Sequence, residues 1–228
     1  MRLPLLAALL LLPACSPDYS AVRDWSFQAR DTLQPANVSR VSADPGIAMR
    51  PPSAVTAEGR EGAALALQEG AIAWLSLLAY IAEDGLPRQR ENPLTGLIPK
   101  VRPYDAEGAE ALHALGEVMG RAARRNWRAP YLSQAVDEGD PPFQAVLDAL
   151  KRQVDALPDA ARRTEIVDRV SDGHALLAER QSRLSRTETA VLLRAQEDEL
   201  RRLMRIHPAK AAGAEGGVGR TLTASDRR

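Results

Sequence analysis

The chain has 228 residues, with 30 basic and 30 acidic side chains. That balance excludes a dedicated nucleic-acid binder, which carries a basic excess. A single cysteine excludes a disulfide within the chain, and 4% aromatics beside plentiful Ala, Leu, Arg and Glu favour helices over strands.

Met1-Arg2 supplies a positive start, and Leu3 to Leu12 an apolar run too short to span a bilayer, which takes about 20 apolar residues. Small Ala14 then precedes Cys15. Leu12-Pro13-Ala14-Cys15 resembles the lipobox of bacterial lipoproteins, Leu/Val-x-Ala/Gly/Ser-Cys, over residues 1–15 alone. The resemblance implies a signal peptide, 1–14, removed at Cys15, with the Cys15 thiol diacylated and its new amino group acylated. The competing reading is an ordinary signal peptide that contains a cysteine. Each buried methylene contributes about 0.8 kcal/mol, so two or three acyl chains make a durable anchor. Within that class, Asp after the cysteine favours retention at the inner membrane, while Ser16 permits transfer to the periplasmic face of the outer membrane, the expected location.

Residues 15–56 read as a lipidated tether that lifts a domain off the bilayer. One short amphipathic helix is expected over 19–33, because Val22, Trp25, Ala29 and Leu33 share a side. Pro35, Pro45, Pro51 and Pro52 keep the remainder extended.

A helical-bundle core is expected over 57–157. Its first helix, Thr56 to Asp84, is apolar almost all round: Ile72, Trp74, Leu75, Leu77, Leu78, Ala79 and Ile81 leave only a narrow strip of Glu69, Ser76, Tyr80 and Glu83. Such a helix sits among others, with Trp74 at the centre. Gly85 is expected to take the left-handed cap, and Pro87 blocks resumption. The proline-punctuated stretch that follows reads as a connector or a binding loop. Asp105 is a good N-cap for a second helix ending near Trp127, with Ala109, Leu112, Leu115, Met119, Ala122 and Ala123 on its apolar face. Gly116 on that face predicts close approach of a neighbouring helix. Asp140-Pro141-Pro142 predicts the start of a third helix, with Phe143, Val146, Leu147, Leu150 and Val154 facing inward.

From Pro158 the apolar stripe thins to Ile166, Val170, Leu177 and Leu184. Ser185 to Glu188 fits a capping box, which starts another helix carrying Leu193, Leu200, Leu203 and Met204. Glu197–Arg201 and Asp198–Arg202 are spaced to pair. Residues 158–207 therefore read as an antiparallel, coiled-coil-like hairpin, either a docking arm or part of the core. Residues 208–228, rich in Gly and Ala, read as a disordered tail. The fold class expected is all-α: a multi-helix bundle with a C-terminal helical hairpin.

Catalytic signatures such as G-x-S-x-G, H-E-x-x-H, a P-loop or a dinucleotide glycine pattern do not occur. His113, His174 and His207 are isolated in sequence, and no cofactor or metal is implied. Besides Cys15, the candidate site is the basic face Arg121, Arg124, Arg125 and Arg128, suited to an anionic ligand or a partner, or else a solvated face opposed to the helix dipole. These features favour a non-enzymatic adaptor or assembly factor of the cell envelope. Its partners are the membrane, through the lipid on Cys15, and a protein, a second copy included. The alternatives are a helical enzyme or accessory subunit acting on envelope polymers, and a lipid or small-ligand carrier with an apolar cavity beside Trp74.

Overall fold

Apolar residues recur at helical spacing along most of the chain, and each such run folds as a helix. The structure, a computed structural model, describes residues 17–34, 52–87, 91–155 and 160–206. The signal peptide, Cys15, the proline-rich stretch 35–51, Pro158, His207 and the tail 208–228 lie outside the described residues. The described residues form α1 (Ser20–Leu33), α2 (Pro52–Ala82), α3 (Ile98–Val101), α4 (Ala106–Arg124), α5 (Leu132–Val154), α6 (Ala160–Glu179) and α7 (Thr187–Ile206), without a strand among them. The protein is an all-α multi-helix bundle.

The nearly all-round apolar surface of α2 requires cover on several sides, and α1 and α5 supply most of it. Trp74, Leu75, Leu78 and Ile81 are fully buried, while Glu69, Tyr80 and Glu83 mark the solvent edge. Complete burial of each large apolar side chain stabilises the fold by about 1.5–3 kcal/mol. α4 and α6 pack on α5, and α7 packs on α1 and α6. The inward faces read from α4 and α5 are all buried, from Ala109 and Leu112 to Phe143 and Leu150.

Contacts along the helices set their directions. Arg23 near the start of α1 reaches Glu83 at the end of α2 (3.8 Å), and the Gln68 amide donates to the Leu33 carbonyl, so these two helices run antiparallel. Arg152 at the end of α5 binds Asp105 at the start of α4 (2.8 Å), and Gln144 and Lys151 meet Ser171 and Asp168 in reverse order. Hence α5 opposes both α4 and α6. This alternation brings the start of α1, the ends of α2, α4 and α6, and the starts of α5 and α7 to one end of the bundle.

Two left-handed caps meet at that end. Asp84 (φ 58°) and Asn126 (φ 54°) follow α2 and α4, and the Gly85 and Trp127 N–H groups donate back to the Tyr80 and Ala122 carbonyls (both 2.9 Å). The left-handed residue after α2 is therefore Asp84, not Gly85 as the sequence suggested. Aspartate tolerates the conformation, and its carboxylate accepts the Ala129 N–H (3.3 Å), a tertiary contact that glycine lacks.

Three further expectations are corrected. α5 starts at Leu132, so Pro141 and Pro142 lie inside it rather than at its first turn. Each proline removes an intrahelical bond. The helix continues because Leu132, Ala135, Val136 and Gly139 extend the buried face of Phe143 backward at helical spacing, and Gln144 bonds across the prolines to Asp140 (3.2 Å). Gly116 does not admit a helix but the Asn92 side chain, whose amide donates to the His113 carbonyl (3.2 Å). Asn92 also organises the connector, where Leu94, Leu97, Ile98 and Val101 are buried, so much of that loop is core.

α1 is not part of a spacer. Val22, Trp25, Ala29 and Leu33 are buried in the same core as α2 and α7. The two helices of the hairpin are likewise structural rather than a protruding arm: Val170, Leu177, Leu193 and Leu200 are buried in that core. A narrow stripe suffices because α6 spends it on α5 and α7 spends it on α1.

Candidate functional site

His174 is the one chemically suggestive side chain that the fold brings into company. It is fully buried on α6, and its ring centroid lies 4.4 Å from Phe143, 6.2 Å from Trp74 and 6.4 Å from Trp25. The Trp74 Nε1–H donates to His174 Nε2 (3.0 Å). An indole nitrogen only donates, so Nε2 accepts and the ring proton sits on Nδ1. That Nδ1–H then donates to Asp140 Oδ1 (2.8 Å).

Burial pushes the His174 imidazole below its ordinary value of 6.5, outweighing the opposing pull of Asp140, so the neutral tautomer is the stable one. Burial acts against an ionised Asp140 too. There the hydrogen bonds from His174 and Gln144 prevail, and the carboxyl lies below its usual 3.8. Asp140 keeps a side-chain exposure of 26%, so the pair connects the core to solvent through its carboxylate.

An aspartate orienting a histidine through Nδ1 is half of a hydrolytic triad. Here the half that matters for catalysis is blocked. Nε2, which takes the nucleophile's proton, is occupied by Trp74 and fully inside. The arrangement joins α2, α5 and α6 by polar bonds at the bundle centre. In the sequence His174 stands only as an isolated histidine and Asp140 only as part of a helix start. The residues are 34 apart, and no local pattern links them.

Gly139 and Gly173 make the packing possible. A Cβ on Gly139 would overlap the Trp74 ring, and one on Gly173 would overlap Trp25. These positions require glycine because atoms of the indole rings occupy the space a Cβ would take.

Beside this junction lies a second buried polar region, where α1 meets α6 and α7. Trp25 Nε1, Ser26 Oγ and Thr189 Oγ1 are buried with no hydrogen-bond partner among the described residues. Glu197, on the inward stripe of α7 between Leu193 and Leu200, is almost fully buried and held by Arg201. Arg202 pairs with Glu199 (3.0 Å) rather than with Asp198, which faces Arg201 (3.4 Å).

The basic face is spread along α4 and past its end. Arg121 pairs with Glu138 on α5 (3.2 Å), Arg124 approaches Glu117 (3.9 Å), and Arg128 approaches Asp84 (3.9 Å). Arg125 is exposed and meets no carboxylate among the described residues. His113 is exposed. No group of His, Cys, Asp and Glu with metal-binding geometry occurs among the described residues. Two surface hollows of about 520 and 530 Å³ are lined mainly by charged side chains, at α5–α6 and α1–α7 respectively, and Trp74 lines neither.

Compared with known proteins, the chain matches no family model, no curated protein and no solved structure.

Proposed function

We propose that this chain is a lipid-anchored protein of the bacterial cell envelope, held by acyl chains on Cys15, and that it acts as a non-enzymatic adaptor or assembly factor through helix-mediated contacts with another protein. The observation that carries the anchor is the run Leu3 to Leu12 ending in Leu12-Pro13-Ala14-Cys15. The adaptor reading draws support from the occupied Nε2 of His174, which removes the best general-base candidate among the described residues. The packing of Trp74 by Gly139, Phe143 and His174 favours it over a carrier with an apolar cavity at that helix. The periplasmic face of the outer membrane is the location that Ser16 supports.

The test is made in a bacterium that processes lipoproteins. Globomycin, which blocks the lipoprotein signal peptidase, is expected to leave the precursor uncut. Intact mass of the membrane-extracted protein is expected to show cleavage before Cys15 and added acyl chains. Cys15→Ala is expected to abolish both and shift the chain out of the membrane fraction. Unchanged cleavage and partition of that variant would refute the anchor. Crosslinking in intact cells then addresses the adaptor role: a discrete adduct, with a second copy or another envelope protein, that needs Cys15 supports it, and only monomer refutes it.

A further inference from the structure

We infer that the end of the bundle from which the anchor leaves is itself a membrane-contact face, binding anionic phospholipid headgroups through Arg125, Arg183 and Arg186 while Tyr131, Val191 and Leu192 enter the headgroup layer. The inference rests on the lipidation of Cys15 proposed above and extends it to the orientation of the whole domain.

Covalent geometry comes first. Consecutive Cα atoms are 3.8 Å apart, so Cys15 lies within roughly 8 Å of Pro17 whatever the conformation of Ser16. Pro17 leads directly into α1, and α1 is docked in the core. A lipid on Cys15 therefore holds the start of α1 close to the bilayer surface, with no long spacer between them.

The elements beside that point then become the membrane-proximal surface. Asp18 caps Ser20 (2.9 Å) and feels the charge of Arg194 in the second turn of α7. Arg23 meets Glu83 at the end of α2, and Asp84 meets Arg128 and Ala129. The turn Gln181–Arg183 between α6 and α7 packs on α5 at the same end. One surface thus gathers the α4–α5 turn, the α6–α7 turn and the first turns of α1 and α7.

The chemistry of that surface is specific. Several of its carboxylates are engaged: Glu83 faces Arg23, Asp84 faces Arg128, Glu179 faces Arg180 (3.4 Å), and Asp18 accepts the Ser20 N–H, while Glu188 sits in the first turn of α7, where it offsets the helix dipole. Arg125, Arg183 and Arg186 are exposed and meet no carboxylate among the described residues. Beside them, Tyr131 is 49% exposed, Val191 58% and Leu192 38%. Guanidinium groups able to fork onto phosphate, next to an amphipathic ring and two aliphatic side chains, fit the interface of an anionic bilayer. A soluble acidic polymer would satisfy the arginines but leave the apolar side chains in water.

Two measurements decide it. In the first, the chain from residue 15 with Cys15→Ser, which carries no lipid, is mixed at low salt with vesicles of phosphatidylcholine alone or with added phosphatidylglycerol, and sedimented. Each basic residue near an anionic surface strengthens binding roughly fivefold. Arg125→Gln with Arg183→Gln and Arg186→Gln is expected to weaken partition onto the anionic vesicles at least tenfold. Arg60→Gln with Lys100→Gln and Arg205→Gln, which removes as much charge elsewhere, is expected to change it little. Equal loss in both sets, no loss in either, or equal binding to neutral vesicles overturns the inference. This arm uses no anchor, so it stands even if Cys15 proves to be unlipidated.

In the second, the lipidated chain is reconstituted in the anionic vesicles with one cysteine introduced by Tyr131→Cys or, at the other end of the bundle, by Tyr104→Cys. With Cys15 acylated, that thiol alone takes a fluorescent label. Iodide is expected to quench the label at 131 several-fold less than the label at 104. Equal quenching at the two positions means the bundle stands clear of the bilayer.

Discussion

The two buried polar regions of this bundle solve the same problem differently. Around His174 the polar side chains of α2, α5 and α6 are joined in one chain: Trp74 donates to Nε2, Nδ1 donates to Asp140, and Gln144 links Asp140 to Ser171. On α1 and α7 the Trp25, Ser26 and Thr189 polar atoms have no hydrogen-bond partner among the described residues. A buried hydrogen bond contributes about 0.5–1.5 kcal/mol, whereas a buried group without a partner costs about 1–3 kcal/mol. The first region therefore fixes the register of α2, α5 and α6. The second leaves buried polar atoms of α1 and α7 without such bonds, making that seam the softer one and the seam nearest the proposed anchor.

The contrast is broken most severely at Trp74. Trp74→Ala removes the largest side chain of the junction together with its bond to His174, and a loss of about 3–5 kcal/mol in chemical denaturation is expected. Wild-type stability in that variant would mean that α2 is not the central helix.

His174→Phe keeps the ring volume but strands the Trp74 N–H, and is expected to cost about 1–3 kcal/mol at neutral pH. It also changes the pH dependence. The imidazole of the folded chain lies below 6.5, so the unfolded chain binds the proton more readily. Its contribution is therefore fully present above pH 6.5 and is lost as pH falls through the folded value. Asp140, held below 3.8, adds a similar loss at lower pH still. Denaturation midpoints are expected to fall more steeply below pH 6.5 in the native protein than in His174→Phe. Parallel curves would contradict a neutral, buried His174.

Gly173→Ala tests how the two regions share α6. The added methyl drives into Trp25 without touching the His174 bonds directly, and a cost of about 1–3 kcal/mol from overpacking is expected. Pairing it with Trp25→Phe, which makes room, is expected to restore part of the loss. Additive effects would show that the clash is relieved elsewhere.

The smallest effect sharpens the comparison most. Ser26→Ala and Thr189→Val each remove a buried hydroxyl with no hydrogen-bond partner among the described residues, so each is expected to leave stability unchanged or raise it by up to about 1 kcal/mol. Destabilisation by either would reveal a partner for that hydroxyl and bring the seam into line with the junction.

The amino-acid sequence by itself determined the all-helical class, the inward faces of α2, α4 and α5, the cap at Asp105 and the amphipathic character of α1. Each is a local property, written in a period of 3.6 residues or in one side chain bonding its own backbone; Asp105 indeed accepts the Gly108 N–H (2.7 Å). The lipobox-like run at Cys15 belongs to the same kind, a short linear pattern readable without a fold. Tertiary structure alone decided the rest. Pro141 and Pro142 stay inside α5 because packing on both sides outweighs the lost backbone bonds. The α1 helix belongs to the core because α2 and α7 bury its stripe, which the prolines after it obscured. Three arginines from two separate turns share one end only because successive long helices alternate in direction. His174 joins Asp140 and Trp74 because three helices converge where two glycines let indole rings approach. Such a meeting depends on chain positions far apart, and no spacing within the sequence encodes it.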